Sequence, residues 1–98
     1  MKSVATAKKG EIDARWTSIF EVLSDKTRLC MFKKLINEDG LCTTELSRAF
    51  GTSLPIASYH LKLLEMKGLV GKKRSGQMIC YHVRNDDPFV RKVVKLLT

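Results

Sequence analysis

The reading of this chain turns on residues 43–83, TTELSRAFGTSLPIASYHLKLLEMKGLVGKKRSGQMICYHV. Its first eight residues set Leu46, Ala49 and Phe50 on one side of a helix that stops at Gly51, a residue able to take the left-handed conformation that ends helices. Ser53 then stands where a hydroxyl caps a second helix, and Pro55 falls in the first turn, where a missing N–H does no harm. Ala57, Leu61 and Leu64, spaced i, i+4, i+7, face inward. Two helices joined by so tight a turn form a helix-turn-helix, whose second helix suits the width of the DNA major groove. Two strands follow, over 69–73 and 77–83, with Ile79, Tyr81 and Val83 alternating with Met78, Cys80 and His82. Arg74, Ser75 and Gly76 are the expected turn, which puts Lys72, Lys73 and Arg74 at the tip of a basic ribbon. The stretch reads as a winged DNA-binding unit.

Outward from it, Ile12, Trp16, Ile19, Phe20 and Leu23 form a helical stripe. A second helix starts at Ser24 or Asp25 and lines up Leu29, Phe32 and Ile36, with an exit turn over 37–40. A last short helix opens over 85–88 and carries Phe89, Val90, Val93, Val94 and Leu97. The expected fold is mainly α: four helices, a β-hairpin wing and a fifth helix, one winged helix-turn-helix domain over 11–98 behind a flexible basic arm over 1–10. Trp16, Ile19, Phe20, Phe89, Val93 and Leu97 are more apolar surface than a domain this small readily covers, so the end helices are expected to pair in a homodimer. Completion of a monomer core is the alternative.

Ninety-eight residues leave no room for a second core, and a hydrophobic fraction of 44% argues against disorder. The net charge of +8 attracts polyanions; solubility alone would be the plainer reason for it. Position favours nucleic acid, since residues 62–75 hold Lys62, Lys67, Lys72, Lys73 and Arg74 against Glu65 alone. No apolar run approaches the roughly 20 residues that span a membrane, and no apolar stretch follows the first lysines as a leader would need. A cytoplasmic location follows as the expectation. Catalysis has no support: no nucleophile–base–acid set, no glycine-rich phosphate loop after a strand, and two histidines outside any motif.

With 57, 61 and 64 turned inward, the groove-facing candidates are Ser53, Leu54, Ile56, Ser58, Tyr59 and Lys62. The hydroxyls of Ser58 and Tyr59 can bond base edges or phosphates, and Leu54 and Ile56 can pack on thymine methyls. His60 is read as a packed or phosphate-bonding residue. Arg74 is the candidate for minor-groove insertion, and Lys72 and Lys73 for phosphate contacts.

LSDKTRLCMFKKL (23–35), the helix-turn-helix and GKKRSGQMICYHV together resemble the ArsR/SmtB family of winged-helix repressors over roughly residues 11–97. The family's Ser-Gln-(Ser/Pro)-x-(Val/Ile)-Ser-x-His-Leu-x-x-Leu is matched at Ser53, Pro55, Ser58, His60, Leu61 and Leu64. The resemblance implies a dimeric repressor on a double-stranded operator, paired through its first and last helices. It departs at Leu54, where the family usually has Gln, and at Tyr59, so base preference does not carry over. It also implies a search for a metal sensor. The family's Cys-x-Cys-x-x-Cys run falls on Cys42, Thr44 and Ser47, one thiolate where about three are needed. The family's other site, at the last helix, finds Asp86 and Asp87 but no histidine after His82. No metal or other cofactor is expected, and any small inducer is unnamed.

The cysteines, Cys30, Cys42 and Cys80, are odd in number and widely spaced, which does not suggest a disulfide framework. Cys30, in an apolar helical stretch, and Cys80, in a strand, fit the role of small hydrophobes, and structural thiols are the expected reading overall. A thiol switch through Cys42 or Cys30 is the alternative, with Cys42 favoured because a helix start lowers thiol pKa. A protein-interaction module is the alternative of another class, though it has no use for a basic wing beside a polar helix.

Overall fold

In the computed structural model, which describes residues 7–98, the chain folds as five helices and a three-stranded antiparallel sheet. Helix α1 (Ala7–Leu23) begins inside the expected basic arm, whose residues 1–6 lie outside the described ones. Asp25 opens α2 (Lys26–Asn37) by accepting the Arg28 backbone N–H at 3.0 Å. That hydrogen bond, with the Arg28 charge, holds the Asp25 carboxyl below the usual carboxylate range against the cost of burial.

A two-residue strand, β1 (Leu41–Cys42), comes next and was not anticipated. It pairs with the second wing strand and carries the chain into α3 (Thr43–Phe50), where the Glu45 carboxylate accepts the Cys42 backbone N–H at 2.8 Å. Gly51, at φ +62°, ends α3 as expected, and the Ser53 hydroxyl accepts the Ile56 N–H to start α4 (Leu54–Met66). The wing is β2 (Val70–Ser75) and β3 (Met78–Val83), in strand order β1-β3-β2. Its turn is Gly76–Gln77, so Arg74 and Ser75 lie in β2, paired with Ile79 and Met78. The tip is thus displaced by two residues, because Gly76, at φ +63°, opens a two-residue hairpin turn. Helix α5 (Pro88–Leu97) starts at Asp87, which accepts the Phe89 N–H at 2.9 Å.

Ile19, Phe32, Leu35, Leu46, Leu61, Leu64, Leu69 and Val90 are fully buried and form the centre of the core. Ala57, Leu61 and Leu64 are the buried side of α4, as their spacing required. Two residues assigned to a subunit interface are in this core instead. Ile19 (0% exposed) and Val93 (1%) are covered within the single chain, because α1 and α5 both pack on the α2–sheet layer. Phe20 and Leu96 stay exposed, with Trp16, Phe89 and Leu97 half-buried beside them. Trp16 stacks on Phe20 and tilts against Phe89, and the Arg15 guanidinium lies 4.5 Å from the Phe89 ring centre while pairing with Asp87.

Cys42 and Cys80 are joined by a disulfide, contrary to the expectation of three separate thiols. They are 38 residues apart in sequence but directly opposite in the β1–β3 register, a proximity that only the unanticipated strand creates. Cys42 is buried, not an exposed reactive thiol; Cys30 is free and half-buried.

Candidate nucleic-acid interface

On the outer side of α4, Leu54 (48%), Ile56 (49%) and Tyr59 (58%) keep about half their surface open, and Ser53, Ser58 and Lys62 are exposed with them. Large apolar and aromatic side chains left bare together on a helix otherwise anchored by Ala57, Leu61 and Leu64 make this face a candidate contact surface. All six groove-facing candidates read from the sequence are exposed, whereas His60, read as a packed or phosphate-bonding residue, is not. That ring is half-buried, and its Nδ1 lies 3.3 Å from a guanidinium N–H of Arg28 on α2.

The wing closes against the start of α4. Leu54, Pro55 and Ser58 share a cleft with Gln77, Met78 and Ile79 of the wing and with Thr43 and Thr44 of α3. The Thr43 hydroxyl donates to the Ile79 carbonyl at 3.2 Å and so fixes α3 to the wing. Thr43, Thr44, Gln77 and Met78 line this cleft and were not among the sequence candidates for DNA contact. For Gln77 and Met78 the cause was the misplaced turn; positions 42–44 were read as a helix start and, by the resemblance, as part of a broken metal run.

The three basic wing residues do not form one patch. Alternation in β2 puts Lys72 and Arg74 on the face shared with Val70, and Lys73 on the other. Lys72 lies opposite Tyr81, with its ammonium 3.8 Å from Glu65 of α4. Burial, then the Glu65 charge, raises the Tyr81 pKa. Arg74, opposite Ile79 in the strand register, is exposed. Lys73 lines a different hollow with Asp39 and His82. An exposed pair at 3.8 Å is weak, so a phosphate can take Lys72 from Glu65 at small cost.

Residues 25–72 match the model of the arsR family of bacterial regulatory proteins. The chain is also 30% identical over 89 residues to the cadmium resistance transcriptional regulatory protein CadC homolog of Staphylococcus aureus, a match spanning 91% of this chain and 70% of that protein. The chain belongs to the arsR family. It is a DNA-binding transcriptional regulator of that family, with its winged helix fold. Among solved structures, the AntR antimony-specific transcriptional repressor superposes with a TM-score of 0.73 at 29% identity, covering 98% of this chain and 81% of that one. A homodimeric winged helix-turn-helix DNA-binding domain from Mycobacterium bovis gives 0.78 at 23% identity, covering 99% and 86%.

The arsR-type metal positions are otherwise engaged in this chain. Cys42 is bonded to Cys80, Thr44 is exposed, and the buried Ser47 hydroxyl donates to the Thr44 carbonyl at 3.0 Å. On the other side, both Asp86 oxygens accept from the Arg84 guanidinium, which lowers the Asp86 pKa and raises that of Arg84. Asp87 caps α5 and pairs with Arg15. Among the described residues, no three His, Cys, Asp or Glu side chains come together as a metal-holding group. This donor set does not fit a soft ion, which asks for several thiolates or imidazoles.

Proposed function

We propose that this arsR-family regulator is a homodimeric repressor that reads a twofold-symmetric operator with α4 and grips the flanking backbone with the wing. The bare outer face of α4 carries the reading: Leu54, Ile56, Ser58 and Tyr59 offer methyl contacts and hydroxyls to a major groove, next to a cleft that continues onto the wing. Lys62, Lys72 and Arg74 supply phosphate contacts on the same side, and Lys73 reaches backbone from the opposite face of the ribbon. The exposed Phe20 and Leu96, with Trp16, Phe89 and Leu97, form the dimer face, in line with the homodimeric relative from M. bovis. Among the described residues, no helix is long and apolar enough to cross a membrane. The family's DNA-binding role supports action on DNA in the cytoplasm.

The test is selection of a binding site from a random duplex pool, followed by footprinting. A palindromic footprint with two major-groove segments about one helical turn apart supports the reading. An asymmetric footprint, or no enrichment of any site, overturns it. Stoichiometric zinc, cadmium or arsenite should leave affinity for the selected site nearly unchanged; a large effect would mean that ligands are recruited from elsewhere in the assembly.

A second reading rests on the Cys42–Cys80 bond. Cytoplasmic disulfides are usually transient and redox-sensing. This one links the start of α3 to the strand that borders the DNA-facing cleft. A thiol-responsive repressor would bind its site with different affinity before and after reduction by a dithiol, and a Cys42→Ser, Cys80→Ser variant would be insensitive. Equal affinity of the reduced and oxidised wild type removes this reading and leaves the first intact.

A further inference from the structure

Arg28 joins three helices through one side chain and its own backbone. Its backbone N–H is held by the Asp25 carboxylate at 3.0 Å, where α2 begins. Its Nε donates to the Val22 carbonyl at 2.8 Å, one of the last-turn carbonyls of α1 that the helix itself leaves open. Its remaining reach goes to α4, to Nδ1 of His60 at 3.3 Å. A guanidinium has only donors, so Nδ1 must present its lone pair, and the neutral ring then carries its proton on Nε2. Histidine tautomers are usually ambiguous; here the partner decides.

We propose that Arg28 is a positioning residue for operator reading: through the lone pair it requires of His60, it fixes α4 against α1 and α2 and so aims Tyr59 and Ser58. This rests on the reading of α4 as the groove helix. Tyr59 is the immediate neighbour of His60, with ring centres 5.5 Å apart, so a change in how the His60 ring sits is passed directly to an exposed reading residue. Protonation of His60 would set an N–H against the guanidinium, two donors and two positive charges face to face, with the nearby Asp25 carboxylate as the compensating charge. The neutral ring is therefore the one that holds α4 in place. The tie also runs to α1, the helix of the proposed dimer face, so the same contact bears on the separation of the two groove helices.

The probes are a duplex selected from a random pool by the wild-type protein and a scrambled duplex of equal composition, with affinity read by fluorescence anisotropy. Arg28→Gln should lower affinity for the selected duplex about tenfold while changing scrambled binding much less, the size expected when a hydrogen bond from a charged group is lost. His60→Gln keeps a neutral acceptor and should stay near wild type. His60→Ala, which removes the acceptor, should lose affinity as Arg28→Gln does, and the Arg28→Gln, His60→Ala double variant should be no worse than Arg28→Gln alone, since each change removes the same contact. Should Arg28→Gln fail to fold, nitrogen-15 NMR of the wild type decides: the Nε2–H tautomer supports the proposal, and an Nδ1–H tautomer at neutral pH overturns it. Undiminished preference in Arg28→Gln, or losses in Arg28→Gln and His60→Ala that simply add, also overturn it. If instead Ser58→Ala and Tyr59→Ala cost nothing on the selected duplex, the groove-helix reading itself has failed.

Discussion

Tyr59 and Ser58 are exposed on α4, whereas Leu61, two residues beyond Tyr59, is wholly enclosed. Substitutions at these neighbours should therefore fail in different ways. Tyr59→Ala or Ser58→Ala should remove about 1–3 kcal/mol of discrimination for the selected site and leave non-specific binding and thermal stability nearly unchanged. Leu61→Ala should cost about 2–5 kcal/mol of stability in thermal or denaturant unfolding, because it empties a site in the core. An equal loss on random DNA for Tyr59→Ala would show that this side chain grips without reading. At this scale the sequence was legible where a helix has one inner side: the i, i+4, i+7 spacing of Ala57, Leu61 and Leu64 identified the buried side, and the exposed candidates followed by subtraction. His60 was not legible. Its position flanks the buried stripe, and only the fold brings Arg28, 32 residues earlier, to its ring.

The elements were legible wherever a cap marks them, and less so where a long-range pairing does. Ser53 and Gly51 located α4 and the end of α3; β1 has two residues and no pattern of its own, so neither it nor the Cys42–Cys80 bond had a local signal. The wing tip was displaced because Gly76 fits either a three-residue or a two-residue turn. The corrected register sharpens the wing prediction. Lys72→Ala and Arg74→Ala, on the cleft side, should each flatten the log–log salt dependence of DNA binding by about one. Lys73→Ala, on the opposite face, should flatten it less, and a larger effect at Lys73 would mean that the ribbon lies on DNA by its other side. Helix α5 carries a pH-dependent tie. Burial raises the Asp87 pKa, but the Arg15 hydrogen bond and the Phe89 N–H outweigh it, so the net shift is downward. A lowered carboxyl contributes stability above its ordinary titration range and loses it as pH falls through the lowered value. Asp87→Ala should therefore destabilise by about 1–2 kcal/mol at neutral pH, mainly by uncapping α5. Its deficit relative to wild type should shrink as acid titrates the wild-type carboxyl, below about pH 4. A deficit independent of pH would assign the effect to packing.

For the molecule as a whole, the outward faces of α1 and α5 are the proposed dimer surface. Sedimentation at micromolar concentration should give about twice the 11.1 kDa chain mass, and Phe20→Asp or Leu96→Asp should return it to one chain mass with its helical circular dichroism intact. A wild type that sediments as one chain would remove the palindromic operator. Of the proposed dimer surface, the excess of apolar residues on the end helices was visible in the sequence, but which of them the subunit buries within itself depends on how α1 and α5 sit on the core. Ile19 and Val93 turned inward there, and Leu96 outward. Pairing doubles the charge from +8 to +16, so DNA affinity should be steeply sensitive to ionic strength. The strand order β1-β3-β2 leaves β2 as an open margin of the sheet, with backbone groups free to pair with another molecule. Lys72, Lys73 and Arg74 occupy that margin, and crowding of like charge keeps two such edges from zipping together. The residues proposed to draw the protein to DNA would thus also discourage edge-to-edge pairing of β2 strands, apart from the dimer contact of α1 and α5. Neutral apolar replacements in β2 would invite edge-to-edge aggregation that an affinity assay would mistake for weak binding; glutamine or serine at these positions separates the two effects, and light scattering on the DNA-free protein distinguishes them.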